Sequence, residues 1–196
     1  MGLKENLKLG ITVANRVRLE VPKSSNAGYT SSYIKTGSGK IVNEVASVAS
    51  VRPPEYSTRP TIPSDWLERF EGVCKLCKKE KMGNCGELAA IACLYLRELK
   101  AYPVDYVEIA DGITTKNPAI PHNVAVIGRT VAPGPQTWPA DGTPIGLPDT
   151  WHPDAVICDP WDRVVYPAHE YDEYWDGLRE HSIAPKMLTC TLVHQL

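Results

Sequence analysis

A thiol enzyme needs a nucleophilic cysteine, a histidine base and a carboxylate to orient that base. This chain of 196 residues offers one of each, in that order. Cys85 lies in Gly83-Asn84-Cys85-Gly86-Glu87-Leu88-Ala89, just ahead of an apolar stretch from Ile91 to Leu99. Asn84 is a good N-cap, and Glu87, three residues on, completes a capping-box pattern. Cys85 is then the first helical residue, where unpaired N–H groups and the helix dipole favour a thiolate. The plainer alternative is a small cysteine that merely packs. The base candidate is His122, delivered by the Pro-bracketed loop Asn117-Pro118-Ala119-Ile120-Pro121 onto Asn123-Val124-Ala125-Val126-Ile127. Alternation places His122 on one strand face with Val124 and Val126. The orienter is Asp159, at the end of the apolar run Ala155-Val156-Ile157-Cys158. Pro160 cannot donate to a ladder, so it ends that strand and exposes Asp159 at its tip.

These residues must be positioned by the elements around them. Asp65-Trp66-Leu67-Glu68 opens a helix with Trp66, Phe70, Val73 and Cys77 on one face. A polar approach, 78–83, joins it to the Cys85 helix. In that second helix Leu88, Ile91, Ala92, Tyr95 and Leu99 share a face, and most other positions are apolar, which predicts a central, covered helix. Strands are expected over 103–110, 123–128, 155–159 and 187–193. Helical spacing recurs at Tyr171, Tyr174, Trp175 and Leu178. The sum is an α+β domain, with helices packed on an antiparallel sheet that carries base and orienter.

The three motifs GNCGELA, HNVAVIG and VICDPW together resemble the papain-like/transglutaminase-like cysteine enzymes, especially the secreted bacterial effectors and toxins among them. The resemblance covers about 65–166. It implies a central helix bearing Cys85 as nucleophile, His122 as base and acid, and Asp159 as orienter. It further implies acyl transfer at an amide of a protein substrate, with glutamine deamidation or peptide hydrolysis first and transglutamination third. No cofactor is implied. A non-catalytic binding module that keeps the fold is the competing class. Such enzymes often carry an upstream glutamine as an oxyanion donor, and none precedes Cys85 here. The Cys85 N–H can serve as one donor, with Asn84 or Trp66 as candidates for the second. Trp161, Trp138 and Trp151 are the candidate substrate-binding residues. The last two lie in the proline-rich stretch 130–154, which reads either as a lid or as surface decoration.

Charge divides the chain unevenly. Residues 1–63 hold nine Lys/Arg against four Asp/Glu, and residues 64–196 hold twelve against nineteen. With its serines and the Pro53-Pro54 pair, 1–62 reads as a loosely ordered leader and 63–196 as the cysteine-enzyme domain. Within the leader only Val17-Arg18-Leu19-Glu20-Val21 shows strand alternation, and 41–48 suggests a short helix. Removal of the leader is expected to leave a folded domain. The resemblance implies that such a leader carries export or secretion-chaperone information.

The remaining features exclude more than they suggest. The start is polar, without a signal-peptide core, and no apolar run is long enough to span a bilayer. That predicts a chain that is cytoplasmic as made, without stable membrane insertion, and the resemblance adds secretion into a host cell without a cleaved signal. The thinly spread basic charge lacks the clusters and interleaved aromatics of a nucleic-acid binder. Cys74 and Cys77 form a C-x-x-C, but packing on the helix explains them better than zinc. His169-Glu170-Tyr171-Asp172-Glu173 has Glu173 where a zinc protease needs its second histidine. No metal site is expected. The acidic residues Asp162, Glu170, Asp172, Glu173, Asp176 and Glu180 suit either a basic substrate face or a solvated helix surface.

Overall fold

The computed structural model describes residues 1–24, 63–110, 122–130, 143–171 and 189–195. The helix expected over 41–48, the proline loop before His122, Trp138 and the helical spacing from Tyr174 to Leu178 lie outside the described residues. So does the side chain of Trp66.

Within the described residues the chain is α+β, helices on an antiparallel sheet. Helix α1 (Leu3–Glu20) comes first, then the short strand β1 (Lys23–Ser24). Helix α2 (Pro63–Glu80), strand β2 (Met82–Gly83) and helix α3 (Cys85–Glu98) follow. The main sheet is built from β3 (Val104–Ala110), β4 (His122–Ile127), β5 (Thr143–Pro144), β6 (Val156–Asp159), β7 (Val164–Pro167) and β8 (Thr189–Gln195). Its order is β5-β8-β3-β4-β6-β7, with every neighbour antiparallel. Among the described residues no helix is long and apolar enough to cross a membrane.

Strand alternation sorts the core into two layers. Val104, Ala125, Ile127, Val156 and Cys158 face the helices, where they meet Val13 and Val17 of α1, Phe70 and Cys77 of α2, and Leu88, Ile91 and Leu96 of α3. Val107, Ile109, Val124, Val126 and Ile157 face the other way and are covered by Trp151, Ala168 and Tyr171. Helix α3 is the central one, buried at every position from Glu87 to Leu96. Leu99 falls beyond its last turn and is exposed. Both C-x-x-C cysteines, Cys74 and Cys77, are buried in the helical layer.

The N-terminal segment overturns an expectation. Residues 1–24 are not a loose leader, and Val17–Val21 is not a strand. The last turn of α1 runs through that sequence, and Val13, Val17 and Val21 are fully buried. Leu19 decides between the two patterns. A strand would bury it with Val17 and Val21, whereas a helix turns it outward, and it is 82% exposed. The buried positions Asn6, Gly10, Val13, Ala14 and Val17 follow a helical stripe. Gly10 marks the closest approach to the sheet: a Cβ there would stand 2.7 Å from Val165 Cγ1. At the far end of α1, Glu20 accepts from the Tyr95 hydroxyl at 2.6 Å and pairs with Lys78 at 2.8 Å, tying α1 to α2 and α3.

The approach to Cys85 is likewise more ordered than its polar sequence suggests. Lys81 turns the chain with φ +59°. Strand β2 then pairs in parallel with β1, Lys23 opposite Met82 and Ser24 opposite Gly83. The chain leaving α1 therefore holds the residues that lead into Asn84.

Candidate active site

The N-terminus of α3 is built as its sequence predicts. The Asn84 side chain accepts from the Glu87 backbone N–H at 3.1 Å, and the Glu87 carboxylate accepts from the Asn84 N–H at 2.7 Å. This reciprocal pair satisfies two of the donors that a helix start leaves open. It also fixes Cys85 as the first helical residue. The amide oxygen of Asn84 is thus committed to the cap.

His122 opens β4 and Asp159 closes β6, and these strands are antiparallel neighbours, so both residues stand at one end of the sheet. His122 Nε2 lies 2.5 Å from Asp159 Oδ2. Asp159 is held in turn through its second oxygen, which accepts from the backbone N–H of Trp161 at 3.0 Å and of Asp162 at 3.1 Å. That Asx-type turn ends β6 in place of a continued ladder. Pro160 ends the strand as expected, but the Asp159 carboxylate is buried at its tip and not exposed, with the residue only 4% accessible. The Trp161 ring covers the imidazole, its centroid 5.0 Å away.

Alternation puts His122 on the face away from the helices, yet it is the first residue of its strand. At that open end the ring reaches round to the first turn of α3. With Nε2 committed to Asp159, Nδ1 remains for the Cys85 sulfur, with which His122 shares a hydrogen bond. Cys85, His122 and Asp159 are thereby brought together from three elements.

The electrostatics follow from this arrangement. Burial opposes ionisation of Cys85. The hydrogen bond and charge of His122, with backbone hydrogen bonds from Asn123 and Gly86, outweigh it and hold the thiol below its ordinary value. Burial would likewise lower His122, but the charge and hydrogen bond of Asp159, then those of Cys85, raise it to about 10. Both shifts run toward a thiolate–imidazolium pair. Cys93 and Cys158 behave oppositely: burial pushes both thiols well up. Among the described cysteines with displaced thiols, Cys85 alone shifts toward the reactive form.

Tyr106 stands at the site outside every motif. The Tyr106 hydroxyl, on the helix-facing side of β3, donates to the Gly86 carbonyl at 3.3 Å. A Cβ on Gly86 would stand 3.1 Å from that hydroxyl and 3.3 Å from Asn123 Oδ1. The missing side chain is what lets the Cys85 turn dock against β3 and β4. Phe70 packs edge-on to the Tyr106 ring at 5.2 Å. The parity of Tyr106 with Val104 could have placed it on the helix side, but nothing in its neighbours marked it. Asp162 belongs to the Asx turn, and burial followed by the Asp159 charge holds its carboxyl above the usual range.

Of the candidate tryptophans, Trp161 is at the site and Trp151 is not. Trp151 is buried in the layer away from the helices, and its indole N–H donates to the carbonyls of Ile145 at 3.0 Å and Gly146 at 3.3 Å. Its role is to anchor the segment after 143 beneath the sheet. The lid reading fails for that half of the 130–154 stretch. Thr143–Pro144 pairs with β8, and Asp154 accepts from the Leu3 N–H at 3.0 Å and from Asn6 Nδ2 at 2.8 Å.

Comparison with known proteins finds no matching family model, no matching curated protein and no matching solved structure.

Proposed function

We propose that the protein is a thiol acyl-transfer enzyme acting on amide groups of a protein substrate, within a papain-like/transglutaminase-like arrangement. One observation carries this reading: a cysteine at the start of a buried helix shares a hydrogen bond with a histidine whose other nitrogen is held by a buried, doubly anchored carboxylate. The Cys85 thiolate attacks the amide carbonyl carbon and forms a C–S bond, and the carbonyl oxygen takes the negative charge. The Cys85 N–H at the helix start is the natural donor to that oxyanion. The His122 imidazolium then gives its Nδ1 proton to the amide nitrogen as the C–N bond breaks. Ammonia or an amine leaves, and a thioester remains. Neutral His122 next takes a proton from water, whose oxygen attacks the thioester and releases the acid and the thiolate. Asp159 keeps the imidazole in the required tautomer and stabilises the imidazolium throughout.

Glutamine deamidation is the preferred form, with peptide hydrolysis second, since both follow from the same acyl-enzyme. Intact-mass analysis of casein incubated with wild type or Cys85→Ala separates them. Deamidation adds about 1 Da per site, whereas peptide hydrolysis gives new fragments, both by water resolving the thioester. Incorporation of added monodansylcadaverine reveals an amine acceptor instead. All three changes should vanish with Cys85→Ala. A mass change that persists in that variant would sink the proposal.

A further inference from the structure

At the other end of α3, roughly 18 Å from Cys85 by the helical rise to Arg97, a groove of about 520 Å³ runs between α2 and α3. Leu67, Leu94 and Tyr95 contribute an apolar lining, and Tyr102, 49% exposed, stands among its walls. Four cations line this groove against two carboxylates, Glu71 and Glu98. Lys78 is engaged by Glu20 at 2.8 Å, and Glu98 by Arg16 at 2.9 Å. Lys75, Arg97 and Lys100 remain, all exposed and without an ion pair among the described residues, facing Glu71 alone.

The end of α3 places Lys100 on the groove's rim. Lys100 closes α3 with φ +58°, while the Ala101 N–H reaches back to the Leu96 carbonyl at 3.0 Å. That left-handed position is where helices place glycine or asparagine, and a longer side chain there is strained. Lys81 and Arg163 adopt the same left-handed region elsewhere, so this conformation fixes where Lys100 stands on the groove's rim and not why a lysine is there.

We propose that this groove docks an acidic peptide segment of a protein partner, with an apolar side chain seated against Leu67 and Leu94 and carboxylates met by Lys75, Arg97 and Lys100. The site is separate from the thiol chemistry and does not depend on it. The test is fluorescence anisotropy at low salt with the full chain and a fluorescein-labelled peptide Asp-Glu-Leu-Glu-Asp-Phe. Its neutral counterpart Asn-Gln-Leu-Gln-Asn-Phe is measured in parallel. The acidic peptide should bind saturably, lose affinity as salt rises, and bind about tenfold more weakly to Lys75→Glu/Arg97→Glu, as expected for two surface pairs. Cys85→Ala should bind it unchanged, which separates failure here from failure of the proposed reaction. Lys100→Gly should weaken binding while raising Tm, an opposition that a merely structural lysine would not produce. Equal binding of the neutral peptide, undiminished binding by the charge-reversed variant, or no saturable binding would each overturn the proposal.

Discussion

Deleting residues 1–24 is expected to unfold the protein. Helix α1 places Val13 and Val17, followed by Val21, at full burial in the helical layer. Burial at about 1.5–3 kcal/mol for each such side chain makes their joint contribution comparable to the whole stability of a typical domain. The deletion also removes β1, the pairing partner of the strand that leads into Asn84. Its effect therefore reaches the approach to Cys85 as well as the core. Circular dichroism and thermal melting of the truncated chain, against a control lacking only the first two residues, measure this directly. A cooperative melt near the wild-type Tm would show α1 to be dispensable.

The second large effect is expected for Asp159→Asn. An asparagine amide donates to His122 Nε2, forcing the ring proton onto Nδ1, the nitrogen that in the proposed reaction accepts from the thiol or from water. Turnover should fall on the order of 10³–10⁴-fold, the scale associated with a wrong tautomer in a triad. The variant should also alter stability against pH in a defined direction. His122 rises on folding from 6.5 to about 10, so its contribution is fully present below 6.5 and lost as pH rises through about 10. Removing the Asp159 charge removes most of that rise. The stability gap between wild type and variant should accordingly be widest at or below neutral pH and close toward pH 10, as read from urea midpoints. A gap constant across that range would assign Asp159 a purely packing role.

Much of this arrangement was legible in the residues, for identifiable physical reasons. The Asn84–Glu87 capping box is a local signal, complete within four residues, and the structure builds it as written. The strands carrying His122 and Asp159 combine apolar runs with a proline boundary, which local pattern also reports. Helix α1 is ambiguous in the sequence because Val17, Leu19 and Val21 satisfy a period of two as well as Val13, Val17 and Val21 satisfy a helical one. Five residues were too short a window to choose between them. Trp151 was misplaced because a tryptophan in a proline-rich loop looks the same whether it covers a cleft or plugs a core. Tyr106 and the role of Gly86 depend on contacts between distant elements, and no local pattern encodes them. The reach of His122 round the end of the sheet is of the same kind: alternation gives the face, and only strand ends permit the exception.

If His122 sustains Cys85 as a thiolate, the pH profile of Cys85 alkylation reports it. Iodoacetamide labelling, followed by peptide mass mapping from acid to alkaline pH, should modify Cys85 ahead of the other five cysteines. Its midpoint should fall below that of an ordinary thiol. In His122→Ala, shown by circular dichroism to remain folded, the Cys85 midpoint should move up, because burial then acts on the thiol without its main counterweight. Labelling of Cys85 at the pace of the other cysteines, or a midpoint unmoved by loss of His122, would show Cys85 to be an ordinary thiol.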